Sequence, residues 1–421
     1  MKRKKFWILF IIGCLTAICI YSFLHYFRKP LLEGHKVVVC IPVYGQSLAL
    51  GEEAIRVTDF ERLKNDYNGR ILTENLDYEF GCFDNSKWKQ SLKKLFHYHK
   101  RSFELSIYGM AEALAQQLGN DTVICIFPGG QGTTLIAQLS KPEAPYMRLI
   151  SDIQTAYEKA RDKNWEFYVP AICWMQGESD IAEYSNTDYK TLLKQFSKDI
   201  NQDIKEITHQ DVPVNFISYQ TNAITRGKMF DANNFKCKEI AVPQALMELV
   251  RDDSLFWPSG PIYPYSFARE AVHLDGASQK LLGQLAAKSA IRIIRHQKPI
   301  AGLIPLNPVI DNNNIILPFA IPYPPLVFDT INVNKIDNYG FNVITPDGKD
   351  IISSVILEDS IVRISCLQSP IGCKIRYAIN GEIMKSGNQH GPRGNLRDSH
   401  QYWCYQFESA LKTKDPTGST Q

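Results

Sequence analysis

Short apolar runs alternate with amphipathic segments from residue 34 to about residue 300. The runs are rich in β-branched residues and bounded by Gly, Pro or Asn, as in the buried strands of a parallel sheet. Between them, apolar residues recur every three or four positions, which predicts helices that bury one face. This alternation predicts an α/β fold with a mainly parallel sheet and helices on both faces. The predicted strands are 37–41, 122–127, 167–174, 214–219 and 256–263, and the clearest helices are 146–160, 189–204 and 277–295.

The pattern changes after residue 299. Pro, Asn and Gly then separate short β-rich runs, and no helical period is visible. This texture predicts a small all-β domain, sandwich-like, over residues 300–410. We therefore divide the chain into an α/β domain at 34–299, the all-β domain, and a disordered tail at 411–421.

The first 29 residues differ from the rest. A basic cluster at 2–5 precedes an uncharged apolar stretch from residue 6 to residue 27, which is long enough to cross a bilayer as a helix. Because the heavier positive cluster lies before this stretch, we expect the N-terminus to stay cytoplasmic and the remainder to be exported. We favour an uncleaved signal anchor that holds the protein at the periplasmic or extracellular face. A cleaved signal peptide and a lipoprotein signal around Cys14 are the alternatives.

Composition and charge narrow the function classes. The 421-residue chain is 44% hydrophobic and 22% charged, which is ordinary for globular proteins. Outside residues 1–29 there are 41 basic and 44 acidic side chains, so the charge gives no reason to expect nucleic acid as a partner. His and Cys do not occur at zinc-binding spacings, and we expect no metal and no organic cofactor.

Polar motifs follow the predicted strands, and the carboxyl ends of parallel strands are where open α/β sheets place their sites. A Gly-Gln-Ser motif ending at Ser47 follows the first strand, and a glycine-rich loop at 128–134 follows the second. The segment Trp-Met-Gln-Gly-Glu-Ser-Asp at 174–180 follows the third, and a Glu-x-x-His motif at 270–273 precedes the last helix. The glycine loop lacks the Lys of a phosphate-binding loop.

These motifs contain the parts that acyl transfer by serine requires. A hydroxyl such as that of Ser47 needs a nearby His as base, and His273 is the candidate. An acid orients that His, and Glu270 can reach it from three residues before. N–H donors must face the developing oxyanion, and Gly132 and Gln176 are candidates. A plain turn at 45–48, and Gly130 in place of Gly132, are the competing interpretations.

The order of motifs resembles a known family. G-Q-S, then G-T-T, then W-x-Q-G-E-S-D, then an acid three residues before a His, is similar to the SGNH-type carbohydrate esterases over residues 36–295. Within these esterases, the chain resembles the sialate O-acetylesterase and acetylxylan esterase group. The resemblance implies a flavodoxin-like SGNH fold with Ser47 as nucleophile and His273 as general base. It also implies an oxyanion hole formed by the N–H groups of Ser47 and Gly132 and the side-chain amide of Gln176.

Two departures from that family concern the site. Leu48 stands where the family usually has Asn, and Glu270 stands where it usually has Asp. The acid that orients His273 therefore has alternatives: Glu178 could replace Glu270, or Ser and His could act as a dyad. Gln46 and Glu178 are otherwise expected to support the site.

The expected function is that of an exported serine esterase that removes O-acetyl groups from carbohydrate through an acetyl-enzyme. Sialic acid, xylan and other acetylated glycans are all possible substrates. A non-catalytic glycan-binding protein and a polysaccharide O-acetyltransferase are the alternatives. A substrate with a carboxylate would call for an arginine near the site, and Arg101, Arg226 and Arg269 are candidates.

Overall fold

The computed structural model describes residues 36–67, 69–73, 81–82, 103–183, 188–231, 233, 236–269 and 272–412. The predicted membrane anchor, most of the predicted tail, Arg101 and Glu270 lie outside these ranges. Among the described residues, no helix has the length and apolar character needed to cross a membrane.

Two sets of elements follow one another along the chain. The strands are β1 Val37–Cys40, β2 Val43–Gly45, β3 Ile71–Thr73, β4 Gly81–Cys82, β5 Thr122–Cys125, β6 Pro128–Gly130, β7 Glu166–Tyr168, β8 Ala171–Met175, β9 Asn215–Gln220, β10 Phe230–Asp231, β11 Lys236–Cys237, β12 Phe256–Pro261, β13 Ile304–Pro305, β14 Val309–Asp311, β15 Asn314–Ala320, β16 Leu326–Phe328, β17 Phe341–Ile344, β18 Ile352–Glu358, β19 Ile361–Cys366, β20 Lys374–Tyr377, β21 Leu396–Asp398 and β22 Phe407–Ala410. The helices are α1 Phe60–Asp66, α2 Ser106–Gln117, α3 Ile136–Leu139, α4 Ala144–Asp162, α5 Glu178–Glu183, α6 Tyr189–Thr208, α7 Ala241–Asp252, α8 Gly276–Ile294 and α9 Gly387–His390.

The first part is built on a parallel sheet in two continuous halves. One half has the order β4-β3-β5-β1-β7 and the other β12-β9-β8-β2-β6. Three chain segments continue from one half into the other, from β1 to β2, from β5 to β6 and from β7 to β8, with breaks at or next to Pro42, Pro128 and Pro170. Proline has no N–H to donate to the ladder. Two of the predicted strands, 37–41 and 122–127, stopped at these breaks, whereas the predicted strand 167–174 ran across Pro170. Hydrogen bonds of 2.9 Å from the Ile41 and Val43 amides to the neighbouring strand bridge the interruption.

Helices cover both faces of this sheet. Alternate residues of β1 face opposite sides: Val39 packs in the core with α2 and α8, and Val38 packs in the core with α4, α6 and α7. This period of two is what a strand buried on both faces requires. The predicted SGNH-like α/β architecture is therefore confirmed, and it places the carboxyl ends of β2, β6, β8 and β9 at one edge.

The second part consists of antiparallel strands from β13 to β22. One sheet has the order β13-β15-β19-β18, and β14 also pairs with β15. A second sheet has the order β17-β20-β22. β16 pairs with β21 in a third, two-stranded sheet. The predicted all-β part is confirmed. The pattern indicated no helix in this part, which is wrong in two places, since a 3-10 turn at Asp337–Gly340 and the short helix α9 lie between the strands. Each has four residues, which are too few to show a helical period.

Candidate active site

The nucleophile loop begins where β2 ends. The Gln46 amide donates to the carbonyl of Met175 at 3.0 Å, which ties the loop to β8. A Cβ on Gly45 would lie 1.9 Å from that same carbonyl oxygen, so only glycine fits between the two strands. The Ser47 carbonyl then accepts hydrogen bonds from the Leu50 and Glu52 amides, both at 3.1 Å, and closes a tight turn. This turn presents Ser47 at the carboxyl edge of the sheet.

Ser47 and His273 meet although 226 residues separate them in the chain. The His273 Nε2 atom lies 2.8 Å from the Ser47 Oγ atom, within hydrogen-bond reach for proton transfer. His273 lies on a short hairpin that an antiparallel bridge between Phe267 and Leu274 closes just before α8. The geometry brings together the two residues that the sequence proposed as nucleophile and base.

An acid also faces the other ring nitrogen, and it is not one that the sequence analysis named. The Glu53 Oε2 atom lies 3.3 Å from His273 Nδ1, whereas Glu52 Oε2 lies 3.7 Å from Nε2. Glu270, the acid predicted from the sequence, lies outside the described residues, and its role stays a prediction. Glu53 was missed because its signal, an acid six residues after the Ser in a Gly-Glu-Glu turn, matches no motif.

The Glu53 carboxylate lies close to the His273 ring, but the two groups are not aligned for a hydrogen bond. Both His273 Nδ1 and Glu53 Oε2 are buried, and neither makes a hydrogen bond to any other described residue. Glu53 also has a φ of 62°, a left-handed conformation that glutamate seldom adopts. Such strain is found at functional sites, and catalytic hydrogen bonds are often loose before substrate binds. Ser47, His273 and Glu53 thus follow one another in the order of contacts that a serine triad has, at 2.8 Å and 3.3 Å.

The glycine loop faces Ser47 through Gly132. A Cβ on Gly132 would lie 3.7 Å from the Ser47 Cβ atom and 3.0 Å from Glu52 Oε1. Among the described residues, neither the Ser47 amide nor the Gly132 amide donates to a protein acceptor. Two unengaged N–H groups beside a nucleophile are what an oxyanion hole requires.

Gly130 has a structural role that differs from that of Gly132. It has a φ of 107°, and a Cβ there would lie 1.8 Å from the carbonyl oxygen of Gly45. Gly130 therefore allows β6 to pair closely with β2. This position in the sheet favours Gly132 over Gly130 as the oxyanion donor.

The Gln176 side chain is fully buried and already engaged. Its Nε2 group donates to the Thr134 carbonyl at 3.1 Å and to Asp180 Oδ2 at 2.5 Å, and its Oε1 atom accepts from the Tyr189 hydroxyl at 2.8 Å. Both amide hydrogens are thus used within the protein. In this geometry Gln176 holds the glycine loop against α5, and the predicted oxyanion role would require one of those bonds to open.

Glu178 lies beneath the site and does not contact His273 directly. The Tyr219 hydroxyl lies 2.7 Å from both oxygens of its carboxyl group. Burial raises the pKa of Glu178 above its usual value, although hydrogen bonds from Thr221 and Tyr219 and the nearby His273 oppose the shift. Desolvation by burial disfavours the charged form of this carboxyl group, and the Tyr219 hydroxyl engages both of its oxygens. We therefore assign Glu178 to support of the site.

Gln46 and Leu48, on either side of the nucleophile, fix the turn from both directions. Gln46 Oε1 accepts a hydrogen bond from the Ser179 amide at 3.3 Å. Leu48 is fully buried in the apolar core against α8, and its carbonyl accepts from Gln279 Nε2 at 2.9 Å. Apolar packing thus holds the position where the resembling family usually has Asn.

Comparison with known proteins supports this picture. The sequence profile of one family, described as carbohydrate esterase, sialic acid-specific acetylesterase, matches residues 65–292, which is more than half of the chain. The matched range includes Gly132, Gln176, Glu178 and His273 and begins after Ser47. No curated protein matches the chain by sequence.

Three solved structures are compared with this chain. XAC1771, a carbohydrate acetylesterase from Xanthomonas citri, has a TM-score of 0.57 at 11% identity, over 88% of this chain and 80% of that chain. A protein from Arabidopsis thaliana has a TM-score of 0.41 at 16% identity, over 61% and 98% of the two chains. NanS has a TM-score of 0.40 at 12% identity, over 63% and 99%. The first similarity concerns the fold alone, and the other two are too low to support an argument.

Proposed function

The chain belongs to the carbohydrate esterase family of sialic acid-specific acetylesterases, and on that premise we propose that it removes O-acetyl groups from sugars by serine catalysis. The observation that carries the proposal is the 2.8 Å contact between Ser47 Oγ and His273 Nε2 beside two unengaged amides. This arrangement supports the roles of Ser47 as nucleophile, His273 as base and the two amides as oxyanion donors to one carbonyl group.

In the first half-reaction, Ser47 Oγ attacks the acetyl carbonyl carbon while His273 Nε2 accepts the hydroxyl proton. The carbonyl π electrons move to its oxygen, and the amides of Ser47 and Gly132 stabilise the resulting negative charge. The carbon–oxygen bond to the sugar then breaks, and His273 returns its proton to the departing sugar oxygen. An acetyl ester on Ser47 remains.

In the second half-reaction, a water molecule attacks the acetyl-enzyme. His273 accepts one water proton, the same two amides stabilise the new oxyanion, and Ser47 Oγ leaves with the proton from His273. Acetate is the second product. The Glu53 carboxylate stabilises the imidazolium in both halves and holds the ring so that Nε2 faces Ser47.

The test compares wild type with Ser47→Ala and His273→Ala. We expect both variants to release acetate from p-nitrophenyl acetate and from O-acetylated sialic acid about 10³-fold more slowly or worse. Acetylated xylo-oligosaccharide in a parallel assay compares a second sugar class. A variant as fast as the wild type would contradict the serine mechanism.

Acetate release without a sugar acceptor separates the esterase from the acetyltransferase alternative. We also propose that residues 1–29 anchor the enzyme to the membrane with its catalytic domain outside the cytoplasm. Protease protection in intact cells and fractionation test this placement, and a soluble cytoplasmic protein would contradict it.

A further inference from the structure

The carboxylate of Glu52 lies in front of the catalytic residues, and the proposed mechanism does not use it. Its Oε2 atom is 3.7 Å from His273 Nε2, and its Oε1 atom is 3.0 Å from the position that a Cβ on Gly132 would take. In that mechanism, His273 Nε2 is the atom that returns the proton to the departing sugar oxygen. Glu52 therefore borders both the leaving oxygen and the place where the oxyanion forms.

The Glu52 side chain borders solvent, whereas the catalytic residues that it faces are enclosed. It is 46% exposed, compared with 12% for the His273 side chain and 5% for Ser47. Among the residues that the structure describes, none donates a hydrogen bond to the Glu52 carboxylate. A ligand that approaches Ser47 from solvent therefore meets a carboxylate whose lone pairs can still accept hydrogen bonds.

Hydrogen bonds fix the backbone of the Glu52 loop. The Glu52 amide donates to the Ser47 carbonyl at 3.1 Å, and the Glu104 amide donates to the Ala54 carbonyl at 2.7 Å. The fully buried Glu104 carboxylate accepts from the Thr58 amide at 2.8 Å and from the Thr58 hydroxyl at 2.5 Å. The backbone that carries Glu52 is thus in place before a ligand binds, which limits the conformational entropy lost on binding.

A carboxylate at this position opposes catalysis unless the substrate donates to it. Negative charge develops on the acetyl oxygen in both half-reactions, and a like charge nearby raises the energy of that state. A substrate hydroxyl that donates to Glu52 reduces this repulsion, because its hydrogen atom then lies against the carboxylate. Oxygens on adjacent carbons are close enough for one to donate to Glu52 while the other, as the ester oxygen, faces His273 Nε2.

We propose that Glu52 is a specificity-determining residue that accepts a hydrogen bond from a free hydroxyl on the carbon next to the acetylated one. The preferred ligand class is thus the monoacetate of a vicinal diol. Esters without this hydroxyl leave the carboxylate unpaired beside the oxyanion, so their transition states are less stable. This assignment rests on the proposed function, because it takes His273 Nε2 as the donor to the departing oxygen.

Three small acetyl esters test the assignment in the full chain. The monoacetate of ethylene glycol has the hydroxyl, its methyl ether has that hydroxyl blocked, and propyl acetate has a methyl group in its place. Each kcat/KM is divided by the rate constant for hydrolysis of the same ester by hydroxide. We expect the corrected value for the glycol monoacetate to exceed each of the others by about tenfold or more.

Variants locate the effect at Glu52. Glu52→Ala should reduce this ratio to about one, because no acceptor remains. Glu52→Gln should keep part of the ratio, since an amide oxygen accepts from a hydroxyl more weakly than a carboxylate does. Glu53→Gln is the matched control, and it should lower kcat for all three esters by the same factor and keep the ratio. Thermal unfolding checks that each variant is folded, and Glu52→Gln provides the test if Glu52→Ala is not.

Equal corrected efficiency of the wild type with all three esters would overturn the assignment and leave the esterase proposal intact. A rise in activity of Glu52→Ala with all three esters alike would overturn it too, since the side chain would then only obstruct the site. A ratio that survives in Glu52→Ala and is lost in Glu270→Gln would assign the hydroxyl to Glu270 instead. Hydrolysis of none of the esters would contradict the proposed function itself, and the assignment with it.

Discussion

At the scale of single residues, the main question is which carboxylate orients His273 and stabilises its imidazolium form. We expect Glu53→Gln to lower kcat by about 10²-fold, because the imidazolium would lose its carboxylate partner. The effect should be smaller than the roughly 10⁴-fold loss at a fully buried triad acid, since the Glu53 side chain is 34% exposed. Steady-state kinetics on p-nitrophenyl acetate provide the measurement.

Glu52→Gln is the matched control, because this neighbouring acid does not face Nδ1 and should affect kcat less. Glu270→Gln completes the comparison with the acid predicted from the sequence. A loss at Glu270 with none at Glu53 would contradict the assignment of Glu53.

The raised pKa of Glu178 predicts how the stability of the protein depends on pH. Burial raises its pKa, so the folded protein binds a proton there that the unfolded chain releases above about pH 4.3. Stability from this group is therefore present below that pH and is lost as pH rises through the folded pKa. We expect Glu178→Gln to flatten this decline in the free energy of unfolding and to retain most of the activity.

Denaturant unfolding from pH 4 to pH 8 measures the effect. Glu178→Ala is the contrast, since it leaves the buried Tyr219 hydroxyl without its partner at a cost of about 1–3 kcal/mol. If Glu178→Gln lost activity as severely as His273→Ala, a charged Glu178 acting on His273 would be indicated instead.

At the scale of elements, the two glycines of the β6 loop are expected to respond differently to alanine. Gly130→Ala places a side chain at positive φ and against the Gly45 carbonyl, so we expect the free energy of unfolding to fall by about 2 kcal/mol or more. The Cβ of Gly132→Ala makes its one tight contact, at 3.0 Å, with the movable end of Glu52 and lies at 3.7 Å from the Ser47 Cβ, so stability should change little while kcat falls.

Thermal unfolding and kinetics of the two variants measure this difference. Equal loss of stability in both would contradict the separation of the roles.

The order and type of the main elements could be predicted from the sequence. Strands buried on both faces are continuous apolar runs, and each predicted helix buries one stripe of apolar residues. The prolines at 42, 128 and 170 were visible, but the sequence did not show that they interrupt neighbouring strands at the same level. The motifs led to the proposal of Ser47 and His273, and the structure places the two side chains in contact. The contact of Glu53 with His273 could not be predicted, because it depends on a left-handed turn. The hydrogen bonds that engage Gln176 could not be predicted either, because its partners include Thr134 and Tyr189 on other elements, and its oxyanion role stays a prediction.

At the scale of the whole molecule, the two parts share one interior. Gln220 at the end of β9 exchanges hydrogen bonds with the Gln406 backbone: its Oε1 atom accepts from the amide at 2.7 Å, and its Nε2 group donates to the carbonyl at 2.8 Å. Tyr263 packs in the core of the all-β part, and its hydroxyl donates to the Cys404 carbonyl at 2.8 Å. Buried polar groups joined in this way are costly to separate.

We therefore expect the two parts to unfold in one cooperative transition. Gln220→Ala should lower the midpoint of that single transition, at a cost of about 3 kcal/mol, because it leaves both Gln406 backbone groups buried without partners. Gln195→Ala, which removes only an exposed bond to Asp199, is the control. Calorimetry that resolves two transitions, of which Gln220→Ala shifts one or neither, would contradict a shared interior.

The most direct test of the central claim is to trap the acetyl-enzyme. Full-length protein is mixed with an acetyl ester, quenched in acid within the first turnovers, digested and analysed by peptide mass spectrometry. Serine catalysis predicts an acetyl group on the peptide that contains Ser47, and none in Ser47→Ala. Steady acetate release with that peptide unmodified, and with Ser47→Ala equally active, would contradict the account.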